Sequence, residues 1–117
     1  MSVEECYNLI GGSYELLWAR TRQDEKIKSY LRMWLDEDVC GRTEDALAAG
    51  DYGRAFNVIH EFKGVCMTLA LDRLLSVLCE LNELLRPMKA NEGIMDKYDS
   101  FKTEYLKERA VIELLFD

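Results

Sequence analysis

The sequence predicts an all-α protein, an antiparallel up-down four-helix bundle with short N-terminal capping helices. Apolar residues recur at the three-and-four spacing of a buried helical stripe along most of the chain, and no segment shows the two-residue alternation of a strand. Alanine, leucine, glutamate and lysine are frequent, and the single proline, Pro87, leaves the long segments on either side unbroken. Four long helices joined by short loops pack as an up-down bundle. A chain of 117 residues forms one domain, spanning 1–117, with enough apolar surface for a core without disulfide or metal staples.

Val3 to Ile10 is a short amphipathic stretch that stops at Gly11-Gly12, one or two helical turns packed on the end of the bundle. Ser13 is placed to cap a second short helix, Tyr14 to Arg20. Asp24 opens a longer helix whose buried stripe is Ile27, Tyr30, Leu31, Trp34 and Leu35. The pattern lapses at Asp36-Glu37-Asp38, an acidic run that reads as a solvated face, and at Gly41, then resumes through Ala46, Leu47 and Ala48. The expectation is one helix to about Ala49, bent near Gly41, where glycine costs ~1 kcal/mol against alanine.

Gly50 stops that helix and Asp51 caps the next, Tyr52 to about Leu69, with the stripe Ala55, Ile59, Phe62, Cys66 and Leu69. After a turn at Leu69-Ala70, a helix from Asp72 to Arg86 buries Leu74, Leu75, Leu78, Leu81 and Leu85, and Pro87 ends it. Asn91-Glu92-Gly93 continue the loop. The last helix covers Ile94 to Leu115, with Met95, Tyr98, Phe101, Tyr105, Ile112 and Leu115 as core candidates. Trp18, Trp34 and the tyrosines at helical spacing read as core.

The net charge of −7 argues against nucleic acid and against an anionic membrane surface, because no Lys/Arg cluster offsets the acidic total. No apolar run approaches the ~20 residues of a spanning helix, and Met1-Ser2-Val3-Glu4-Glu5 lacks the basic and apolar segments of a signal peptide. The four cysteines, Cys6, Cys40, Cys66 and Cys79, form no CxxC pair, and one histidine does not complete a zinc site of the usual spacing. Cys66 and Cys79 read as small core residues, and all four as reduced thiols of a cytoplasmic protein.

The only histidine, His60, lies in the run Phe56-Asn57-Val58-Ile59-His60-Glu61-Phe62-Lys63-Gly64-Val65-Cys66-Met67. On a helix, Lys63 and Gly64 share its face, with Met67 further along. An exposed imidazole with a cation beside it and a bare backbone patch one turn away is suited to carrying a phosphoryl group and presenting it to another protein. Phe56, Asn57 and Met67 flank the position and are the expected partner contacts, with Phe56, Val65 and Met67 as an apolar collar. Glu61 points about 100° away around the helix and is poorly placed as a general base, and it and Arg54 read as surface residues. The chain has no Walker-type phosphate loop and no glycine-rich nucleotide loop, so it is not expected to use ATP.

The segment His60-Glu61-Phe62-Lys63-Gly64, followed by Leu69-Ala70 and Leu74, resembles the core motif of the histidine-containing phosphotransfer domains of bacterial phosphorelays. That motif runs His-x-apolar-Lys-Gly, with a leucine and a small residue nine and ten positions after the histidine. Ala48-Ala49-Gly50-Asp51-Tyr52 is similar to the family's helix-to-helix corner, and Leu17-Trp18-Ala19-Arg20 through Trp34-Leu35-Asp36-Glu37-Asp38 to its preceding segment, so the resemblance runs from about Tyr14 to Arg86. In three places the chain departs from the pattern. Ala70 stands where the family often has glycine, Met67 where a small residue is common, and Phe62 in place of the usual leucine or isoleucine.

The resemblance implies a phosphoryl carrier without kinase activity of its own. A neutral imidazole is nucleophilic near neutral pH. His60 would accept a phosphoryl group from a receiver-domain aspartate as a phosphoramidate and pass it to another receiver. Lys63 would stabilise the phosphoryl charge as a point cation, and Gly64 would keep the approach open. The implied partners are response-regulator receiver domains, with a hybrid sensor histidine kinase as a further one. No cofactor belongs to the chain itself, and magnesium is expected on the partner receiver domain. The intact Met1 start suggests a stand-alone protein, and a monomer is the default. Two rivals follow from the same residues. One is a module of this fold that binds receiver or kinase domains without being phosphorylated, favoured by Met67 and Ala70. The other is a plain structural bundle, which a buried His60 would mark.

Overall fold

The computed structural model describes residues 1–117 and is helical throughout, with no strand. The α-helices in chain order are α1 (Val3–Ile10), α2 (Tyr14–Thr21), α3 (Asp24–Leu35), α4 (Val39–Ala48), α5 (Tyr52–Thr68), α6 (Asp72–Leu85) and α7 (Gly93–Glu113), and a 3₁₀ turn, Leu114–Phe116, follows α7. Short polar side chains set several of the starts. The Ser2 hydroxyl accepts from the Glu5 N–H at 3.0 Å while the Glu5 carboxylate takes the Ser2 N–H, a reciprocal cap on α1. Asp51 accepts from the Arg54 N–H at 3.0 Å and opens α5 as expected. Gly11 and Gly50 turn the chain out of α1 and α4 in the left-handed region, at φ 71° and 68°.

Ser13 does not cap α2. Its hydroxyl makes no capping bond, and its N–H donates instead to the Ala70 carbonyl at 2.9 Å, fastening the α1–α2 corner to the α5–α6 turn. Ala70 itself sits at φ 54°, buried, in the conformation that glycine adopts most easily. The chain has alanine here, yet the backbone follows the path a glycine would take. Its N–H donates to the Met67 carbonyl at 3.2 Å, so hydrogen bonds on both sides of the residue hold it there.

The single helix expected from Asp24 to Ala49 is two helices. α3 ends at Leu35, and Asp38 caps α4 by accepting the Gly41 N–H at 3.2 Å. Asp36-Glu37-Asp38 is therefore the break, where the short carboxylate of Asp38 takes a backbone donor that a continuous helix would use. Gly41 marks no bend. It lies in the first turn of α4, where an added Cβ would come within 2.5 Å of the Asp38 carboxylate.

Neighbouring helices in the chain pack on one another: α4 on α5, α5 on α6 and α6 on α7. α3 also meets α7, and α1 touches α2, α3 and α7. The expected stripe of α5 is buried in full, as are Leu74, Leu78, Leu81 and Leu85 of α6, while Leu75, Tyr30 and Leu35 are half-buried. Trp34 of α3 meets Phe62 of α5 and Tyr105 of α7 at ring separations of 5.8 and 5.2 Å, and Phe101 continues the cluster.

Four core expectations fail. Ala48 is exposed because α4 ends there with Ala46 turned inward. Met95 is exposed because α7 starts with Ile94, Tyr98 and Phe101 turned inward. Trp18 is exposed because α2 buries only Leu17, and the Arg22 guanidinium lies over its ring at 4.9 Å. Cys79 is half-buried, and Cys6 takes the fully buried place instead. No helix is long and apolar enough to cross a membrane.

Candidate functional site

Because α5 buries Ala55, Ile59, Phe62 and Cys66, the residues between them fall on its outer side. Asn57, His60, Gly64 and Met67 are exposed there, and Phe56 and Lys63 are half-buried at its α6 edge. The site residues expected from the sequence thus share one face, although Met67 stands two turns from His60. Val65 of the expected collar is half-buried on the opposite flank.

The imidazole is held from two sides. Its ring stacks on Phe56 with centroids 5.3 Å apart and planes 28° from parallel. Its Nδ1 lies 3.3 Å from Oδ1 of Asn82, a fully buried residue of α6. A carboxamide oxygen only accepts, so the tautomer that makes this contact a hydrogen bond is the one with the proton on Nδ1. Nε2 is then the nitrogen with a free lone pair, and no hydrogen bond within the protein engages it. The buried Asn82 amide nitrogen has no close hydrogen-bond partner, and the group it acts on is the neighbouring Glu83 carboxylate, which it helps to hold in the charged form. Sequence reasoning passed over Asn82. Its signal was there: it lies four residues after Leu78 and three before Leu85, a polar amide on the leucine stripe of α6.

Gly64 has ordinary helical geometry, and an added Cβ would meet nothing within 4 Å. Close helix packing therefore does not explain this glycine. Its cost of ~1 kcal/mol in a helix interior has no return inside the molecule, and the clear space above it lies one turn from His60.

The charges on this face come from α5 and α6. Lys63 has no ion-pair partner among the salt bridges of the fold. Arg86, just past the end of α6, grips Glu83 through Nη2 at 2.8 Å and Nε at 3.2 Å, and its guanidinium lies 5.5 Å from the Phe56 ring centroid. The Arg86 guanidinium holds the Glu83 carboxyl below the usual carboxylate range, with the charge of Lys63 adding in the same direction. On the far flank Glu61 pairs with Arg42 at 3.8 Å. Beyond Gly64, an open groove of about 740 Å³ runs between α5 and the α2–α3 pair, lined by Leu17, Tyr30, Met33, Trp34 and Val65 among others.

The two fully buried thiols are held protonated. Burial pushes the Cys6 thiol up to about 11 and the Cys66 thiol to about 12, so both stay protonated at neutral pH. No group of three or more His, Cys, Asp or Glu side chains is arranged to hold a metal ion. Comparison with protein-family models, with curated proteins and with solved structures gives no match to this chain.

Proposed function

We propose that this chain is a histidine phosphotransfer protein of a two-component phosphorelay, accepting a phosphoryl group on His60 from a receiver-domain aspartate and passing it to another receiver. One observation carries the reading: an exposed imidazole anchored through Nδ1 to a buried amide, with Lys63 beside it and unobstructed space over Gly64. Anchoring Nδ1 leaves Nε2 as the nucleophile. Its lone pair attacks the phosphorus of the aspartyl phosphate in line, the P–O bond breaks, and its electrons return to the aspartate carboxylate. The product is a phosphoramidate on Nε2, with Lys63 offsetting part of the added charge. Attack by a second receiver's aspartate reverses these steps. The magnesium that such a transfer uses belongs to the receiver, as the resemblance implies, together with most of the catalysis.

The architecture proposed with this function is an up-down four-helix bundle in which α3 and α4 together form one arm. Support comes from the contacts of α4 with α5, α5 with α6, α6 with α7, and α7 back with α3, which close a ring. The short α1 and α2 would cap one end. In such a bundle the middle of α5 is open to a partner that lays its active-site face across His60.

The test is phosphoryl transfer from a phosphorylated receiver of the same organism to the wild type and to His60→Gln. The expected result is a mass gain of one phosphoryl group, acid-labile and base-stable, absent from the variant. Equal acceptance by His60→Gln would overturn the reading. A second reading, a receiver- or kinase-binding module that is never phosphorylated, draws on the exposure of Met67 and the apolar groove beside Gly64, since both suit docking with or without chemistry. Receiver binding that survives His60→Ala, with no phosphorylation of the wild type, would favour it. The structural-bundle reading calls for a buried histidine, and His60 is exposed.

A further inference from the structure

The cations of this face are not equivalent. Lys63 is unpaired, whereas the Arg86 guanidinium is engaged by Glu83 and lies against Phe56, the ring that stacks on His60. The Arg86–Glu83 pair is three residues apart on the surface, with both side chains more than half exposed. Exposed pairs of this kind contribute about 0–1 kcal/mol, so the Arg86 fork is weakly held. A phosphoryl group brings a charge of roughly −2 and three acceptor oxygens, and guanidinium binds such oxygens at least as well as it binds a carboxylate. It would arrive on a protein that already carries a net charge of −7.

Building on the phosphotransfer reading of His60, we propose that Glu83 competes with the phosphoryl group for Arg86 and so sets how long His60 stays phosphorylated. In the unmodified protein Glu83 keeps the guanidinium engaged. Once His60 is modified, Arg86 divides between the carboxylate and the phosphoryl oxygens. Hydrolysis adds water to phosphorus while the imidazole leaves with the P–N electrons and takes up a proton, through a loose, metaphosphate-like transition state whose outer oxygens carry less charge than those of the dianionic ground state. A cation on the dianionic oxygens favours the modified ground state and slows that loss. Lys63 serves at all times, and Arg86 to the extent that Glu83 releases it. The carrier is thereby kept transient, which suits a protein that must give its phosphoryl group up again.

The experiment treats the protein with phosphoramidate, a small-molecule phosphoryl donor, and follows the loss of phosphohistidine at neutral pH by intact mass and ³¹P NMR. The proteins compared are the wild type, Glu83→Gln, Arg86→Gln and the double variant, with His60→Gln as the blank and circular dichroism as a check on folding. Glu83→Gln is expected to lengthen the phosphohistidine lifetime by about two- to fivefold, the range that exposed ion pairs span. Arg86→Gln is expected to shorten it, and in the Arg86→Gln background the second change should have no effect. An unchanged lifetime in Glu83→Gln overturns the proposal. So does a lengthening that persists without Arg86, because Glu83 would then act through Asn82, the anchor of the imidazole, or through space. In both cases the phosphotransfer reading stands. Labelling of His60→Gln equal to that of the wild type takes down both.

Discussion

Gly64 and Gly41 both sit in helices, and their surroundings give them opposite reasons. An added methyl at Gly64 would meet open space, whereas at Gly41 it would run into the Asp38 carboxylate that caps α4. Gly64→Ala is therefore expected to raise stability by up to ~1 kcal/mol while slowing phosphoryl transfer from a receiver. Gly41→Ala is expected to lower stability by about 1 kcal/mol through the lost cap and to leave transfer unchanged in the folded fraction. Urea unfolding and a transfer assay on both variants check this, and a Gly64→Ala protein that is less stable would return that glycine to a packing role. At this scale the sequence was legible where one helix supplied the pattern. His60, Lys63 and Gly64 are placed by a single helical repeat, and they share a face as read. Asn82 was not read because it belongs to another helix, and only the packing of α5 on α6 brings it to the imidazole.

Helix existence was readable from periodicity, and the misplaced boundary came from chemistry that overrides periodicity. The stripe from Ile27 to Leu35 and its resumption at Ala46 suggested one helix, but Asp38 offers the Gly41 N–H a better partner than the helix does. Periodicity also concealed a titrating group in α7. Glu108 occupies a core position between Tyr105 and Ile112, 1% exposed, and both its oxygens are buried without a donor from elsewhere. Burial pushes its carboxyl up to about 9, and the carboxyl of Glu104, one turn before it, adds to the shift by sharing the proton. Cys6 of α1 and Cys66 of α5 face it as neutral thiols, and the positive charges of Arg73 on α6 and Lys107 on α7 oppose the rise only in part. The sign follows from linkage. The folded protein holds this proton far more tightly than an unfolded glutamate of pKa ~4.3, so its contribution to stability is full below that value. It is lost as pH rises to about 9, at up to ~1.4 kcal/mol per pH unit for one proton. Glu108→Gln keeps the shape without the ionisation. It is expected to unfold at a higher temperature than the wild type between pH 7 and 9, with the difference shrinking toward pH 5. Parallel melting curves with a constant gap across that range would show that Glu108 does not titrate with folding.

At the scale of the whole molecule, the acidic surface and the scattered apolar exposure decide what the protein does with copies of itself. A net charge of −7 on 117 residues makes like molecules repel. The last helix was the element whose outer face could have argued for a dimer. Its exposed large apolar residues are Met95 and Leu106, with Leu114 just beyond, and they are too far apart along the helix to make a continuous stripe. Between them the outward positions are Asp96, Asp99, Ser100, Thr103 and Lys107, all exposed and polar. A stable homodimer buries a continuous patch of roughly 800 Å² on each partner, and single exposed side chains do not supply one. The protein is expected to run as a monomer of 13.6 kDa in sedimentation equilibrium, with a mass independent of protein concentration and of added salt. A mass that doubles on raising the salt would mean that charge repulsion alone keeps two copies apart. The apolar face beside Gly64, with Met67 and the groove lined by Trp34, Met33 and Tyr30, would then be the surface to examine as a self-association site, in direct competition with any receiver for His60.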